Sequence, residues 1–594
     1  MTSTQDRSSR SPSEAPAPPV PLPGRAAVGG PDEGDRGDTA ERGAWTLVWL
    51  GVLGAGLSTW GDWTEASTLS VLGPAVVLVA TVGLVACWLV RTPRARSFQW
   101  LALAAVAVSL VASQYGPIHV RRFYTTDAAA FDHVAALAMA HGHNPYTSSM
   151  ATAAALLDVP ARFWTYTASG GFVHDVSYPA GSFLVYAPAA ALGFHHQIVD
   201  WVDLGMWILT GALVFVLLPR RLRFLAALLT ITPLFVGVFS SGGTDVPFLP
   251  FLVLAVWRWD RYGGPRSAGA ARWMGPVALG LACAIKQTPW FCVPFLVAGV
   301  ALEARRRGGS PVALAARYLA VVVGVFALVD APFAVAAPGA WWHGTVTPLA
   351  QPLVADGQGL VTLATQGIVR GVDLTALSVS AGLVFAALLA GFVASYPRLA
   401  RVWVLLVPLA LFFSARSLSS YLVDLLPAAL IAAVSVGTAP DAGPEAPSPS
   451  PTPSARRRRW AGVACGLCAA GAVAAGVAAF AGPPLAIAVT GVHTGQGGIR
   501  LDAITVEVRN RTGRPQVPHV LVDTASHPSG FWLPRHGPMA AVPPGGERTY
   551  TLYPPIVAYS ALRGVRWVVQ AYTSNPRALS TSAVQVGRRP PPAQ

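Results

Sequence analysis

A single lysine, Lys286, stands in this chain; every other residue among its 42 lysines and arginines is arginine. It lies between LACAI and QTPWFCVPF, inside an apolar segment. An ammonium at membrane depth costs roughly 2.5–3.5 kcal/mol on insertion scales, so it calls for a partner or a task. One reading is a side chain that snorkels to the interface; the other is a cation that meets an anion such as a lipid phosphate. A second concentration of polar chemistry runs from Arg121-Arg122-Phe123-Tyr124-Thr125-Thr126-Asp127 through Phe131-Asp132-His133 to His141-Gly142-His143-Asn144-Pro145-Tyr146. Further on come Trp164, Tyr166, His174, Asp175 and Tyr178-Pro179. A carboxylate held at Asp127 can take a proton from a hydroxyl. The competing reading is a helix cap, with Thr126 or Asp127 preceding the helical run AAAFDHVAALAMA. Asp245, in SSGGTD, is a candidate for hydrogen-bonding ligand hydroxyls or a plain polar turn. Trp341-Trp342-His343 fits an interfacial aromatic belt better than a stacking platform.

The elements that must position these residues are membrane helices. Hydrophobic residues make up 53% of the chain, charged residues 12%, and the mean hydropathy is +0.48; a soluble domain carries about 25% charged residues. The net charge of +14 does not point to nucleic acid, because the arginines cluster between apolar segments, as at 91–96, 220–223, 305–307 and 456–459. That is the positive-inside pattern. The five cysteines, Cys87, Cys283, Cys292, Cys465 and Cys468, all sit in apolar segments. Small apolar packing suits them better than metal or redox work, even for the C-x-x-C at 465–468.

Residues 1–43 form a Pro/Ser/Gly-rich tail expected to be disordered. Apolar stretches fall at about 44–60, 68–90, 98–115, 197–218, 222–240, 246–259, 273–287, 290–304, 313–333, 373–395, 400–414, 420–437 and 460–481. Counted as about 13 crossings from a cytoplasmic N-terminus, they put those four arginine runs inside and the loops 61–67, 116–196, 240–245, 334–372 and 415–419 outside, with Arg121-Arg122 an exception to the positive-inside pattern. Residues 180–194, apolar but short and containing Pro188, are expected as a juxtamembrane or re-entrant helix on the outer face. The expected units are a tail (1–43), an extra hairpin (44–97) and a helical core (98–437) with the large outer loop 116–196. A Pro/Ser/Arg cytoplasmic linker (438–459), a last membrane helix (460–481) and an extracytoplasmic β-rich domain (482–594) follow. In that domain Ile504/Val506/Val508, Val520/Val522, Tyr550/Leu552 and Trp567/Val569/Ala571 alternate with polar residues, which predicts a small β-sandwich with a binding or structural role. Asn510-Arg-Thr512 is expected as a turn.

Four of these segments together resemble glycosyltransferase family 87. Its opening matches Asp127, Phe131, Gly142, Asn144, Pro145 and Tyr146. Its Tyr-Pro-Pro segment matches Tyr178-Pro179, with Ala180 in place of the second proline. Its Ile-Lys-Pro-x-Pro helix matches Ile285-Lys286-Gln287-Thr288-Pro289, with Gln287 in place of a proline. Its late Tyr-x-x-x-x-Leu-Pro helix matches Ser419-Ser420-Tyr421 through Pro427. The likeness covers roughly residues 98–437. It implies a GT-C membrane fold and a polyprenyl-phosphate-sugar donor, with an acceptor hydroxyl attacking the anomeric carbon with inversion.

In that scheme Asp127 is the general base. The leaving lipid phosphate needs positive charge where negative charge develops, from Lys286 first, with Arg121, Arg122 or Arg416 as alternatives. Asp132, His133, Asn144, Tyr146, Tyr178, Asp245 and Tyr421 are the substrate-binding candidates. A divalent metal on Asp127 or Asp132 is compatible with the residue types, and no His/Asp spacing demands one. The implied partners are a polyprenyl-phosphate sugar, mannose in preference to arabinofuranose, a glycolipid or cell-wall glycan acceptor, and the bilayer. The rivals from other classes are a transporter or flippase of lipid-linked sugar and a non-catalytic glycan-binding scaffold.

Overall fold

A computed structural model describes residues 32–62, 72–89, 96–120, 123–240, 245–264, 271–437, 455–494, 501–523, 529–555 and 566–585. Among them, six helices are long and apolar enough to cross a membrane: Leu72–Leu89, Arg96–Val120, Ile198–Leu217, Pro311–Ala336, Leu374–Ala394 and Arg458–Ala479. Only 17% of the Pro311–Ala336 span and 6% of the Arg458–Ala479 span are buried by protein. Apolar helix surface of that extent suits lipid, where every backbone polar group is satisfied within the helix.

Several apolar stretches expected as single crossings are broken, and proline is the reason. Residues 222–240 divide into Arg223–Ile231 and Pro233–Ser240; residues 420–437 divide into Ser419–Val423 and Leu426–Ser435, with Pro427 in the first turn of the second helix. Proline lacks the N–H that the helix ladder needs and disfavours helix at the preceding residue, so each break falls at the start of a new helix. The 246–259 stretch is α-helical only over Leu249–Val256, where Leu249, Leu252, Val253, Ala255 and Val256 are inaccessible and Phe251 and Leu254 are half-buried. Leu249–Val256 thus lies in the interior of the bundle, whereas Pro233–Ser240 keeps an exposed side, with Leu234 54% exposed. Residues 180–194 form two short helices, Gly181–Leu184 and Ala187–Ala191.

Two boundaries differ from expectation. The first helix runs from Asp32 to Asp62, so residues 32–43 are helical rather than tail. The last membrane helix spans Ala455–Ala479 and takes Arg456–Arg459 into its first turns, alanine and arginine being strong helix formers. The expectations for residues 1–31 and for the linker over 438–454 lie outside the described residues. The N-terminal helices join the main core: Trp45 and Trp49 pack on Phe98 with ring centroids 6.0 and 6.2 Å apart. Cys465 packs at Gly391, where the last helix lies along Leu374–Ala394, and Ser380 Oγ donates to the Ala472 carbonyl at 2.9 Å.

The C-terminal region is a two-sheet sandwich. Its strands are β4 (Leu485–Thr494), β5 (Leu501–Asn510), β6 (His519–Asp523), β7 (Glu547–Leu552), β8 (Arg566–Ser574) and β9 (Arg577–Gln585). One antiparallel sheet has the order β4-β5-β7. The other has the order β2-β9-β8-β6, where β2 (Gly371–Asp373) is supplied by the loop between the membrane-length helices Pro311–Ala336 and Leu374–Ala394. A third pairing, parallel, joins β1 (Asp356–Gly357) to β3 (Arg416–Ser417). Val506, Val508, Val520, Val522, Leu552, Trp567, Val569 and Ala571 fill the space between the two larger sheets, on the faces predicted by their alternation, and Trp532 joins them from the loop before β7. Asn510 accepts from Thr512 N–H and Oγ at 2.8 Å each, the turn expected there.

Candidate functional site

Lys286 follows the helix Ala271–Ile285, its N–H still bonded to the Ala282 carbonyl at 3.2 Å. Pro289 then tightens the chain into a 3-10 turn, Thr288–Cys292. The side chain is 4% exposed and forms an ion pair with Asp245 Oδ1. Its ammonium sits 5.4 Å from the ring centre of Tyr178 and 5.5 Å from that of Tyr421, a cation between two aromatic faces. Asp424, Asp132 and Asp203 lie close enough to act on its charge. Lys286 therefore does not snorkel: it is buried and partnered, as its position in an apolar segment demanded.

The elements around it are locked by short contacts. Gly181 begins its helix against the end of the Lys286 helix, where a Cβ would lie 2.5 Å from the Ala284 carbonyl oxygen. Gln287 Nε2 donates to the Ser177 and Thr345 carbonyls, both at 3.0 Å. Ala180 N–H donates to Asp330 Oδ1 at 3.0 Å, and Trp341 Nε1 donates to the same oxygen at 2.9 Å. Proline at either position could make neither the Ala180 nor the Gln287 bond. Trp341 is tied inward by its bond to Asp330, while Trp342 is 58% exposed.

Asp127 is the first residue of the helix Asp127–Ala140, but the cap is Thr126, whose side chain accepts from Ala129 N–H at 3.2 Å. The carboxylate instead reaches across the loop. Its Oδ1 accepts from Ala128 N–H at 2.9 Å and from Thr165 Oγ at 3.1 Å, and its Oδ2 accepts from Thr165 N–H at 2.5 Å. Burial raises its pKa; the Thr165 bonds, Arg416 and Ala128 N–H oppose that without cancelling it.

Arg416 links the two centres. It lies near Asp127, Tyr178 and Tyr421 as well as Lys286, and its Nη2 is 4.0 Å from Asp356 Oδ2. Burial works against its charge, but Asp356, Tyr421, Asp127 and Tyr178 more than offset this and hold its pKa above the usual value. Asp127, Lys286, Arg416, Tyr178, Tyr421, Asp132 and Asp245, drawn from five separate stretches of chain, thus converge.

The remaining candidates hold structure. Asn144 Oδ1 accepts from Tyr146 N–H at 3.1 Å, capping the turn Pro145–Thr147. Tyr146 packs on Phe183 and Phe333, donates to the Tyr178 carbonyl at 2.7 Å and accepts from Thr345 Oγ at 3.3 Å. His133 Nδ1 bonds Tyr124 OH at 2.8 Å; burial, then His195 and His196, lower its pKa to about 4, so it is neutral. Arg121 and Arg122 lie outside the described residues.

Asp132 is 1% exposed. Its Oδ1 accepts from Ser182 Oγ at 3.0 Å, and its Oδ2 has no hydrogen-bond partner among the described residues. Burial raises its pKa to about 7 against the pull of Ser182 and Lys286. A carboxyl raised in the folded state keeps its proton where the unfolded chain has lost it, so stability falls as pH rises between the ordinary value of 3.8 and about 7. Asp132→Asn is expected to remove that slope, melting above wild type at pH 7.5 and no higher at pH 4.5. Parallel pH profiles of the two melting temperatures would rule the assignment out.

Asp203, Asp356 and Asp424 belong to the site but were not picked out from sequence. Asp203 and Asp424 carried a usable signal, being acids in apolar helices; Asp356, in a loop, carried none. Among the described residues no group of three or more His, Cys, Asp or Glu is placed to hold a metal ion. A cleft of about 400 Å³ lined by Gly263, Arg307, Ser310 and Arg317 shares no residue with the cluster. Its arginines are already engaged, Arg307 with the Tyr262 and Asp260 carbonyls and Arg317 over Trp273.

Comparison of the chain with protein families, with curated proteins and with solved structures finds no match.

Proposed function

We propose that the chain is an integral membrane glycosyltransferase of the GT-C type. In this reading the helical part makes about 13 crossings, the N-terminus is cytoplasmic, and the site and the C-terminal domain face outward. The donor is a sugar, mannose before arabinofuranose, on a polyprenyl phosphate, and the acceptor is a lipid-linked or cell-envelope glycan. The observation that carries the reading is the convergence of a buried carboxylate, Asp127, with a buried cation, Lys286, a half-buried one, Arg416, and two tyrosine rings. The resemblance to family 87 named four of these five residues, and Arg416 lies just before its late Tyr-x-x-x-x-Leu-Pro segment.

The step balances simply. An acceptor oxygen forms the new bond to the anomeric carbon from the face opposite the phosphate, and its proton passes to the Asp127 carboxylate. The bond from the anomeric carbon to phosphate oxygen breaks, and its electron pair leaves on polyprenyl phosphate, where Lys286 and Arg416 stabilise the added charge. Arg416 presents a planar fork to phosphate oxygens; Lys286 acts as a point charge.

One observation favours a second reading. The helices broken at Pro233 and Pro427 and the buried Lys286–Asp245 pair are features of transporters with discontinuous helices. Detergent separates the two, because a micelle has no second leaflet. A transferase in micelles makes a glycosylated acceptor from polyprenyl-phosphate mannose or arabinose. A flippase makes none, and absence of product from an active preparation would overturn the transferase.

A further inference from the structure

The sheet β2-β9-β8-β6 is buried on both faces. Along β8, Trp567, Val569 and Ala571 face the sandwich interior. Gln570 and Tyr572 face the other way, onto the loop at 353–374, where Leu521, Tyr572 and Leu579 pack with Val354, Ala355 and Val372. The β2–β9 ladder holds one end of that loop to the C-terminal domain, with Thr581 donating to the Val369 and Arg370 carbonyls at 2.8 Å each, and three more side chains hold the rest. Arg577 Nη2 donates to the Leu353 carbonyl at 3.1 Å and Gln570 Nε2 to the Thr365 carbonyl at 3.0 Å, while the one proton of Tyr572 OH is shared between the Ala355 carbonyl at 3.2 Å and Gln570 Oε1 at 2.8 Å. The pinned stretch contains Asp356, which pairs with Arg416 in the β1–β3 ladder: Asp356 N–H donates to the Ala415 carbonyl at 3.3 Å and Gln358 N–H to the Ser417 carbonyl at 2.7 Å. The Asp356 carboxylate also lies beside the Arg416 guanidinium, whose Nε is buried with no hydrogen-bond partner among the described residues. A continuous path of contacts therefore runs from Tyr572 through Ala355 and Asp356 to Arg416.

We propose that Tyr572 is a positioning residue for Arg416, so that the C-terminal β-domain completes the anion-binding side of the site. The identity of the anion, a polyprenyl phosphate, rests on the glycosyltransferase reading; the path from Tyr572 to Arg416 does not. Tyr572 is fully buried and its ring packs against the loop, so removing the hydroxyl takes away its bonds to Ala355 and to Gln570 and leaves the packing. Without the pin, the Ala355–Asp356 peptide can shift and take the Arg416 fork with it.

The test is a double-mutant cycle read in binding of polyprenyl monophosphate to the full-length protein in lipid nanodiscs. Tyr572→Phe is expected to weaken binding about fivefold, and in an Arg416→Gln background to change nothing further, because contacts in one path are not additive. Asp356→Asn, which leaves the β-domain untouched, should give a similar loss and be equally non-additive with Tyr572→Phe; this second cycle decides the matter if Tyr572→Phe also lowers the melting temperature. Wild-type binding that Tyr572→Phe leaves unchanged, or losses that simply add, would overturn the positioning role alone. A wild type that binds no polyprenyl monophosphate would overturn the donor assignment and the proposal with it.

Discussion

Asp127→Asn is expected to lower sugar transfer by roughly a hundred- to ten-thousand-fold, the usual contribution of a positioned general base. The substitution is not silent structurally. Asp127 uses both oxygens to accept from Ala128 and Thr165, and an amide would turn one acceptor into a donor facing an N–H or a hydroxyl. Some loss of thermal stability should therefore accompany the loss of activity. Thr165→Val separates the two effects, because it removes only the hydroxyl bond to Oδ1 and leaves the carboxylate. It should lower the melting temperature without approaching the activity loss of Asp127→Asn. The raised pKa of Asp127 adds a pH signature: the base must be ionised, so transfer should fall on acidification at a pH above the ordinary carboxylate range. If Thr165→Val abolishes transfer as completely as Asp127→Asn, Asp127 is a loop anchor and not the base.

Lys286→Met should have the largest effect on folding. It leaves Asp245 buried beside Asp132, Asp203 and Asp424 with its counter-charge gone. Breaking a buried pair by removing one partner costs about 3–5 kcal/mol, most of it the penalty of the charge left behind. The paired variant Lys286→Met/Asp245→Asn removes both charges and should regain much of that stability while remaining unable to bind the donor phosphate. Lys286→Arg keeps the charge but must fit a planar fork between Tyr178 and Tyr421, and is expected to fold and bind weakly. Thermal melting of the four proteins in one detergent checks this. Equal melting temperatures for Lys286→Met and the double variant would mean the ion pair carries no such weight.

Much of this architecture was legible in the sequence, and particular residues show why. Lys286 was visible because a buried charge in an apolar segment needs partners, and the partners are there. The sandwich strands were visible because Val506/Val508 and Trp567/Val569 alternate with polar residues. What that alternation concealed is that Gln570 and Tyr572, on the opposite face of β8, are buried as well. A face covered by another part of the chain need not be apolar if its polar groups find carbonyls, as these do at Thr365 and Ala355. The same long-range docking hid Asp356, whose importance comes only from pairing with Arg416. Apolar length overstated the number of uninterrupted helices, because Thr232-Pro233 and Leu426-Pro427 lie within continuous hydrophobic runs and hydropathy does not register a broken ladder. Asn144 and Tyr146 were marked by their resemblance to a family motif, but their hydrogen bonds shape the loop that holds Tyr178.

The central claim is that one site holds both the base and the phosphate-binding cations. It is tested most directly by counting two products in the same reaction: sugar gained by the acceptor and polyprenyl monophosphate released from the donor, with wild type beside Asp127→Asn and Arg416→Gln. The account predicts equal molar amounts of both from the wild type and neither from the Asp127 variant. The Arg416 variant should show a raised donor KM and reduced, still equal, yields. Released phosphate lipid without glycosylated acceptor, or full yields from the Asp127 variant, would contradict it.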